Sequence, residues 1–333
     1  MSSELWNAKR PQPFKLIQYH LAVSQPLSTV PDEVCAEVHG ILIVRHYLTA
    51  DDLVRFPKLR CVVRTGVGYD RLDRKALAAA GVKVANVPDY GTTEVADHAL
   101  AMALSLRRGI ILQHDAQRLP GAEWKPLNGP PGIPLSGPIV HRPTGKTWAC
   151  LGLGRIGIAA ALRAKTFGYR VVFYDPFLPN GLDRALGITR LFSLTELFSQ
   201  ADVISLHCAH TPETHLVVND TTLALLPPGA ILINVSRGEC VSLDAVERAL
   251  RRGRLTAAGL DVLETEPIVD PPPPLIQAYR ASEPWLMGRL IITPHCAFFS
   301  DEAVRDIQIK STETMRDILF DNLDTNVIDP SSW

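Results

Sequence analysis

Three glycines and one aspartate mark the part of this chain best suited to chemistry: Gly152, Gly154 and Gly157 in the segment GLGRIG, and Asp175 beyond it. Residues 147–151 are a short apolar run, suited to a strand buried on both faces. Gly152 permits the tight turn out of that strand, and Gly154 lets backbone approach a pyrophosphate. Gly157 lets the next helix pack closely. That helix, expected over residues 158–167, would aim its N-terminal amides and positive dipole end at phosphates. Residues 169–174 then alternate like a second strand, ending at Asp175, whose carboxylate can accept hydrogen bonds from a ribose diol. Glycine turns alone are a weak signal. Strand, turn, helix, strand and terminal acid in this order form one dinucleotide-binding βαβ unit. Asp175 would repel a 2′-phosphate, and Pro176 and Phe177 follow where a neutralising arginine would be expected, so the expected cofactor is NAD.

Three further polar residues lie just beyond strand-like runs: Arg237 after NVS, Glu266 after GLDVLET, and His295 after IITP. Ligands of open parallel sheets bind outside the carboxyl ends of the strands, so the three are expected on one rim. Arginine offers a planar, permanently charged fork for a carboxylate. Histidine exchanges a proton near neutral pH, and a carboxylate beside it supports the charged ring. Singly, each is weak, because an arginine after a strand is usually a surface charge and a histidine usually satisfies a local hydrogen bond. The three together, beside the glycine turn, carry the inference. His207, His210 and His215 lack a carboxylate or cysteine set to complete a metal site, and no metal is expected.

Strand-like runs alternate with helical ones along most of the chain, which predicts an α/β protein with parallel sheets covered on both faces. The first half holds candidate strands at 14–19, 40–44, 61–63 and 82–85, with helices at 31–38, 49–56 and 73–80. A long helix is expected over 93–118, rich in small residues that permit close packing. Residues 120–143 read as a proline-stiffened arm and 270–287 as an irregular loop. Strands follow at 203–206, 230–235 and 257–262, and a last helix at 301–321. The expected architecture is two doubly wound, Rossmann-like domains, one flavodoxin-like and one dinucleotide-binding, with an interdomain cleft. The substrate domain would comprise 1–118 and 299–333, and the NAD domain 119–298.

The 333 residues suit two domains. Basic and acidic residues nearly balance, at a formal charge of -1, which gives no electrostatic footprint for nucleic acid or anionic lipid. The six cysteines form no CxxC pair, so buried free thiols are expected. No apolar run approaches bilayer length and the N-terminus has no secretory pattern. A cytoplasmic location is expected, with the nucleus left open.

The motifs GLGRIG at 152–157, NVSRGECV at 234–241, GLDVLETEP at 259–267 and TPHCAFFS at 293–300 resemble those of the D-isomer-specific 2-hydroxyacid dehydrogenase family. VVRTGVGYDRLD at 62–73 and NVPDYGTTEVADHAL at 86–100 are similar too. The resemblance implies that Arg237 holds the substrate carboxylate and carbonyl, that His295 is the acid/base and that Glu266 is its partner. It implies carboxylate contacts from the amides of Val67 and Gly68. Gly152, Gly154, Arg155, Ile156, Gly157, Asp175, Cys208, Ser236 and Asp261 would line the cofactor.

Within the family, LRAKTFGYRVVFYDPFL at 162–178 and SLHCAH at 205–210 look like the C-terminal-binding-protein branch, which includes transcriptional corepressors. There Arg64 would be a further substrate-side arginine. Phe298 stands where that branch often carries tryptophan, a departure at the position tied to its thioether-bearing keto acid. The stretch before Gly40 has room for one strand and one helix, shorter than the corepressors' peptide-docking part.

The resemblance implies NAD-dependent reduction of a small 2-keto acid to the D-2-hydroxy acid, and the reverse, by a homodimer. The alternative is an NAD(H)-sensing, corepressor-like binding protein with weak dehydrogenase activity. Formate oxidation is disfavoured by Glu266, where the related enzymes carry glutamine.

Overall fold

The computed structural model of the chain describes residues 15, 17–19, 21–22, 25–135 and 138–330. The chain divides into two compact units, residues 1–90 with 300–333, and residues 91–299. Among the described residues no helix is long and apolar enough to cross a membrane.

In the first unit three parallel strands, β1 (Gly40–Ile43), β2 (Cys61–Arg64) and β3 (Lys83–Asn86), lie in that order. Side chains of β2 alternate between two clusters. Val62 joins Ile43, Leu48 and Leu77, whereas Cys61 and Val63 join Met315 and Ile318 of the helix Asp301–Phe320. This is the two-residue period of a strand covered on both faces. A Cβ at Gly40 would lie 2.5 Å from the Met315 sulfur, so the missing side chain lets the C-terminal helix settle on the sheet. Of the strand expected over 14–19, residues 14 and 16 lie outside the described residues. Lys15, Ile17, Gln18 and Tyr19 form no strand. Ile17 and Tyr19 face solvent, so no buried face fixes a strand register there.

The second unit is built on seven parallel strands: β4 (Thr147–Leu151), β5 (Arg170–Tyr174), β6 (Thr189–Arg190), β7 (Val203–Leu206), β8 (Ala230–Asn234), β9 (Leu255–Leu260) and β10 (Leu290–Ile292). Their order is β10-β9-β8-β7-β4-β5-β6. The winding reverses between β4 and β7, and a doubly wound sheet opens its ligand crevice at that reversal. Trp148 and Cys150 of β4 face one apolar cluster and Ala149 and Leu151 the other, so the strand is buried throughout.

Three expectations change here. The helix expected over 93–118 is two, Thr92–Arg107 and Ile110–Gln117, because Gly109 between them has φ +63°, where a right-handed helix cannot continue. The first carries Ala96, Ala99 and Ala103 into the same cluster as Ala160, Ala161 and Ala164 of the helix Arg155–Thr166. These small side chains join it to the second unit, so the division falls at 90/91 and 299/300 instead of 118/119 and 298/299. Within 270–287, expected to be irregular, stands a helix, Pro274–Arg280. Pro274 opens it, where a missing N–H is harmless, and Leu275, Ile276 and Ala278 are buried beneath it.

Candidate active site

The glycine turn follows β4 directly. Gly152 has φ +86°, and a Cβ there would fall 2.7 Å from the backbone nitrogen of Cys208 after β7. At Gly157 a Cβ would meet the Gly152 carbonyl oxygen at 2.5 Å. The first contact presses the turn onto the chain after β7, and the second seats the helix Arg155–Thr166 on the turn, at the reversal of the sheet. Gly154 is different: a Cβ there meets nothing within 4 Å, so open space lies in front of the helix start. The first intrahelical bond runs from Ile158 N–H to Gly154 O (2.9 Å), which leaves the N–H groups of Arg155, Ile156 and Gly157 as the helix's own terminal donors. An open cradle edged by such amides suits a pyrophosphate.

Asp175 closes β5 beside this turn. Its Oδ2 accepts from the Leu153 N–H at 2.9 Å and its Oδ1 from the Phe177 N–H at 3.0 Å. A carboxylate has about four acceptor positions, so capacity for a ribose diol remains. The neighbouring Arg190 places its guanidinium on the carbonyl oxygens of Asp175, Leu178 and Pro179. These residues fit a dinucleotide with an unphosphorylated ribose.

Arg237, Glu266 and His295 follow β8, β9 and β10, which are adjacent and parallel, so all three stand at one edge of the sheet. Buried Asn234 shapes the first turn. Its Oδ1 accepts from Ser236 N–H (3.0 Å) and Oγ–H (2.9 Å), and its Nδ2 donates to the Arg237 carbonyl oxygen (2.9 Å). The Arg237 Nη1 donates to the Ser236 carbonyl oxygen at 2.9 Å. Gly238 presses this turn onto the next loop, since a Cβ there would lie 1.9 Å from the Leu263 carbonyl oxygen. The Leu263 N–H in turn donates to Glu266 Oε1 (2.9 Å), and Glu266 Oε2 lies 2.6 Å from His295 Nδ1. The His295 and Glu266 side chains are 28% and 24% exposed, enclosed yet reachable.

His295 has φ +52°, a left-handed conformation that a residue with a Cβ adopts only when held. Its N–H donates to the Asp261 carbonyl oxygen at 2.7 Å. The Asp261 carboxylate accepts from Thr293 Oγ1 (2.6 Å) and from the amides of Cys296 (2.9 Å) and Ala297 (3.0 Å). Asp261, expected at the cofactor, is thus placed behind the His295 turn and is 2% exposed.

The remaining expected residues fall in both units. Cys208 is half-buried after β7; a hydrogen bond with Cys240, then burial, pushes its thiol well above the ordinary range, so it offers a neutral surface. Ser236 is tied to Asn234. Phe298 is half-buried, its ring edge-on to Phe299. In the first unit, Arg64 ends β2 and donates to the Thr65 carbonyl oxygen at 2.5 Å. Val67 and Gly68 lie in the following turn, where Asn86 Nδ2 donates to the Val67 carbonyl oxygen (2.6 Å).

Sequence reasoning passed over Asn234, Thr293 and His98. The first two lie inside quoted motifs and could have been found as turn-forming residues beside the site. His98 Nε2 is 3.1 Å from Thr293 Oγ1 across 195 positions of sequence, a pairing with no local signal.

The family model for the D-isomer specific 2-hydroxyacid dehydrogenase NAD-binding domain matches residues 100–297. The chain belongs to this family. A curated relative, D-3-phosphoglycerate dehydrogenase of Mycobacterium leprae (strain TN), is 38% identical over 264 residues, 79% of this chain and 46% of the relative. The chain therefore spans about half the length of the curated relatives it matches. Among solved structures, the TT0316 protein of Thermus thermophilus is 30% identical at a TM-score of 0.76, covering 94% of this chain and 92% of that one. D-Lactate dehydrogenase from Aquifex aeolicus, complexed with NAD and lactic acid, is 26% identical at a TM-score of 0.75, with 92% and 91% covered. As in other members of the D-isomer-specific 2-hydroxyacid dehydrogenase family, the second unit is an NAD-binding domain.

Proposed function

We propose that the chain reduces a small 2-keto acid to the D-2-hydroxy acid at the expense of NADH, and catalyses the reverse with NAD. The observation that carries this reading is the 2.6 Å contact between His295 Nδ1 and Glu266 Oε2 on the strand edge that also bears Arg237. The bound nicotinamide supplies or accepts the hydride. Arg237 would grip the substrate carboxylate through its planar fork and polarise the carbonyl. With Nδ1 committed to Glu266, the His295 Nε2 is the nitrogen left to serve the substrate. It gives a proton to the carbonyl oxygen in reduction and takes one from the hydroxyl in oxidation. Glu266 fixes the ring and balances the imidazolium charge. Asp175 would select NAD over NADP at the ribose.

No observation favours the corepressor-like alternative, and the assembled Arg-Glu-His set supports turnover. Relatives named for D-3-phosphoglycerate and D-lactate widen the substrate candidates. The family resemblance extends the reading to a homodimer, which sedimentation velocity would test.

The test is optical: NADH oxidation followed with pyruvate, glyoxylate, hydroxypyruvate, its 3-phosphate, phenylpyruvate and 4-methylthio-2-oxobutyrate, with NADPH in parallel. Fast, NADH-selective turnover of one acid to a D-configured product is expected. Tight NADH binding with negligible turnover across the panel would overturn the reading.

A further inference from the structure

We infer that His98 is a positioning residue for the proposed acid/base group, bracing the turn that carries His295 through Thr293 and Asp261. The inference rests on the role proposed above for His295.

Direction is fixed by counting protons. The Thr293 Oγ1 lies 2.6 Å from Asp261 Oδ1 and 3.1 Å from His98 Nε2. A hydroxyl has a single proton, and at this distance from a carboxylate that proton belongs to the shorter contact. Thr293 can then only accept from His98, so Nε2 carries a proton and neutral His98 is the Nε2–H tautomer. The donors run one way, from His98 to Thr293 to Asp261.

Asp261 is where the brace meets the turn. Its carboxylate also accepts the amides of Cys296 and Ala297, the two residues after His295, and its carbonyl oxygen takes the His295 N–H. The left-handed backbone of His295 is therefore held on both sides by one residue. A carboxylate this buried depends on keeping its donors. The His98 side chain is 25% exposed and so reaches both solvent and the buried Asp261, whose Oδ1 lies 3.9 Å from Nε2.

Asp261 is the charged group that faces His98, and Asp97 precedes it on its own helix. Arg163 of the neighbouring helix pairs with Asp97. Arg237 is held separately, by Asn234 at the end of β8. Loosening the brace should therefore lower kcat through His295 and leave KM for the keto acid nearly unchanged.

The experiment compares wild type, His98→Leu, His98→Gln and His295→Ala. It reads kcat and KM against pH, and the ring-nitrogen NMR spectra of the histidines in the NADH complex. His98→Leu is expected to lower kcat roughly tenfold or more, with KM unchanged, an altered pH profile and displaced His295 resonances. His98→Gln, whose amide can replace the Nε2 donor, should restore most of kcat and the wild-type His295 resonances. Neutral His98 should show the Nε2–H tautomer. Wild-type kcat and unmoved His295 resonances in His98→Leu would overturn the inference, as would the Nδ1–H tautomer. Retained turnover in His295→Ala would overturn the acid/base assignment instead, and the spectra would still decide the brace. If His98→Leu does not fold, His98→Gln and the wild-type tautomer decide it.

Discussion

Glu266 uses its two oxygens for different tasks: Oε2 lies 2.6 Å from His295 Nδ1, while Oε1 accepts the Leu263 N–H at 2.9 Å. The second bond fixes the carboxylate, and the fixed carboxylate orients the ring. Glu266→Gln keeps an acceptor for Nδ1–H but removes the charge that balances an imidazolium. Its kcat/KM for the keto acid is expected to fall roughly 10- to 100-fold, with NADH affinity, read by fluorescence, unchanged. Near-normal kinetics would show that the charge has no part in the chemistry.

The glycine turn predicts opposite outcomes for two neighbours. A Cβ at Gly154 meets nothing within 4 Å, so Gly154→Ala should melt like wild type yet bind NADH weakly, because the methyl enters the space read as the pyrophosphate cradle. Gly152→Ala places a Cβ 2.7 Å from the Cys208 nitrogen at φ +86° and should lose stability as well as NADH binding. Thermal melts and NADH titrations of the pair check this. Unchanged NADH affinity in Gly154→Ala would contradict the placement.

Much of this site was legible because it follows short-range rules. β4 has the bounds that the apolar run from Thr147 to Leu151 announces, and the glycines and Asp175 stand at fixed spacings from it. Arg237, Glu266 and His295 could be placed on one edge because parallel strands put their carboxyl ends together. What escaped depends on contacts distant in sequence. His98 meets Thr293 across the unit. Buried Arg107 donates from Nη1 to the Gly229 carbonyl oxygen, and buried Arg289 donates to the carbonyl oxygens of Thr256 and Leu250; burial pushes Arg289 down to about 10. Backbone acceptors leave no trace in residue types. The break at Gly109 was missed because a lone glycine inside an apolar pattern reads as tolerated until its φ is known.

At the ribose end, Asp175→Ala removes a carboxylate that would repel a 2′-phosphate. The ratio of kcat/KM for NADH over NADPH is expected to fall about tenfold or more. An unchanged preference would mean that this acid does not face the ribose.

His207 predicts a pH dependence of stability. Its Nε2 lies 2.9 Å from Ser205 Oγ, its buried Nδ1 has no hydrogen-bond partner among the described residues, and burial pushes the ring from 6.5 down to about 4. Between those values the unfolded ring binds a proton and the folded ring does not. Stability should therefore fall as pH drops through that window and fall no further below it, by about 3 kcal/mol in all. Urea unfolding of wild type and His207→Gln on both sides of the window checks the sign; an equal loss in both would contradict it.

His295 is the proposed acid/base, and Arg237 the proposed holder of the substrate. The most direct measurement takes the best keto acid of the panel and compares wild type, His295→Ala and Arg237→Lys by steady-state NADH oxidation, with NADH affinity measured on each. Turnover is predicted to fall by about two orders of magnitude or more in His295→Ala, and comparably in Arg237→Lys, with NADH binding intact in both. Normal turnover in His295→Ala would contradict the account.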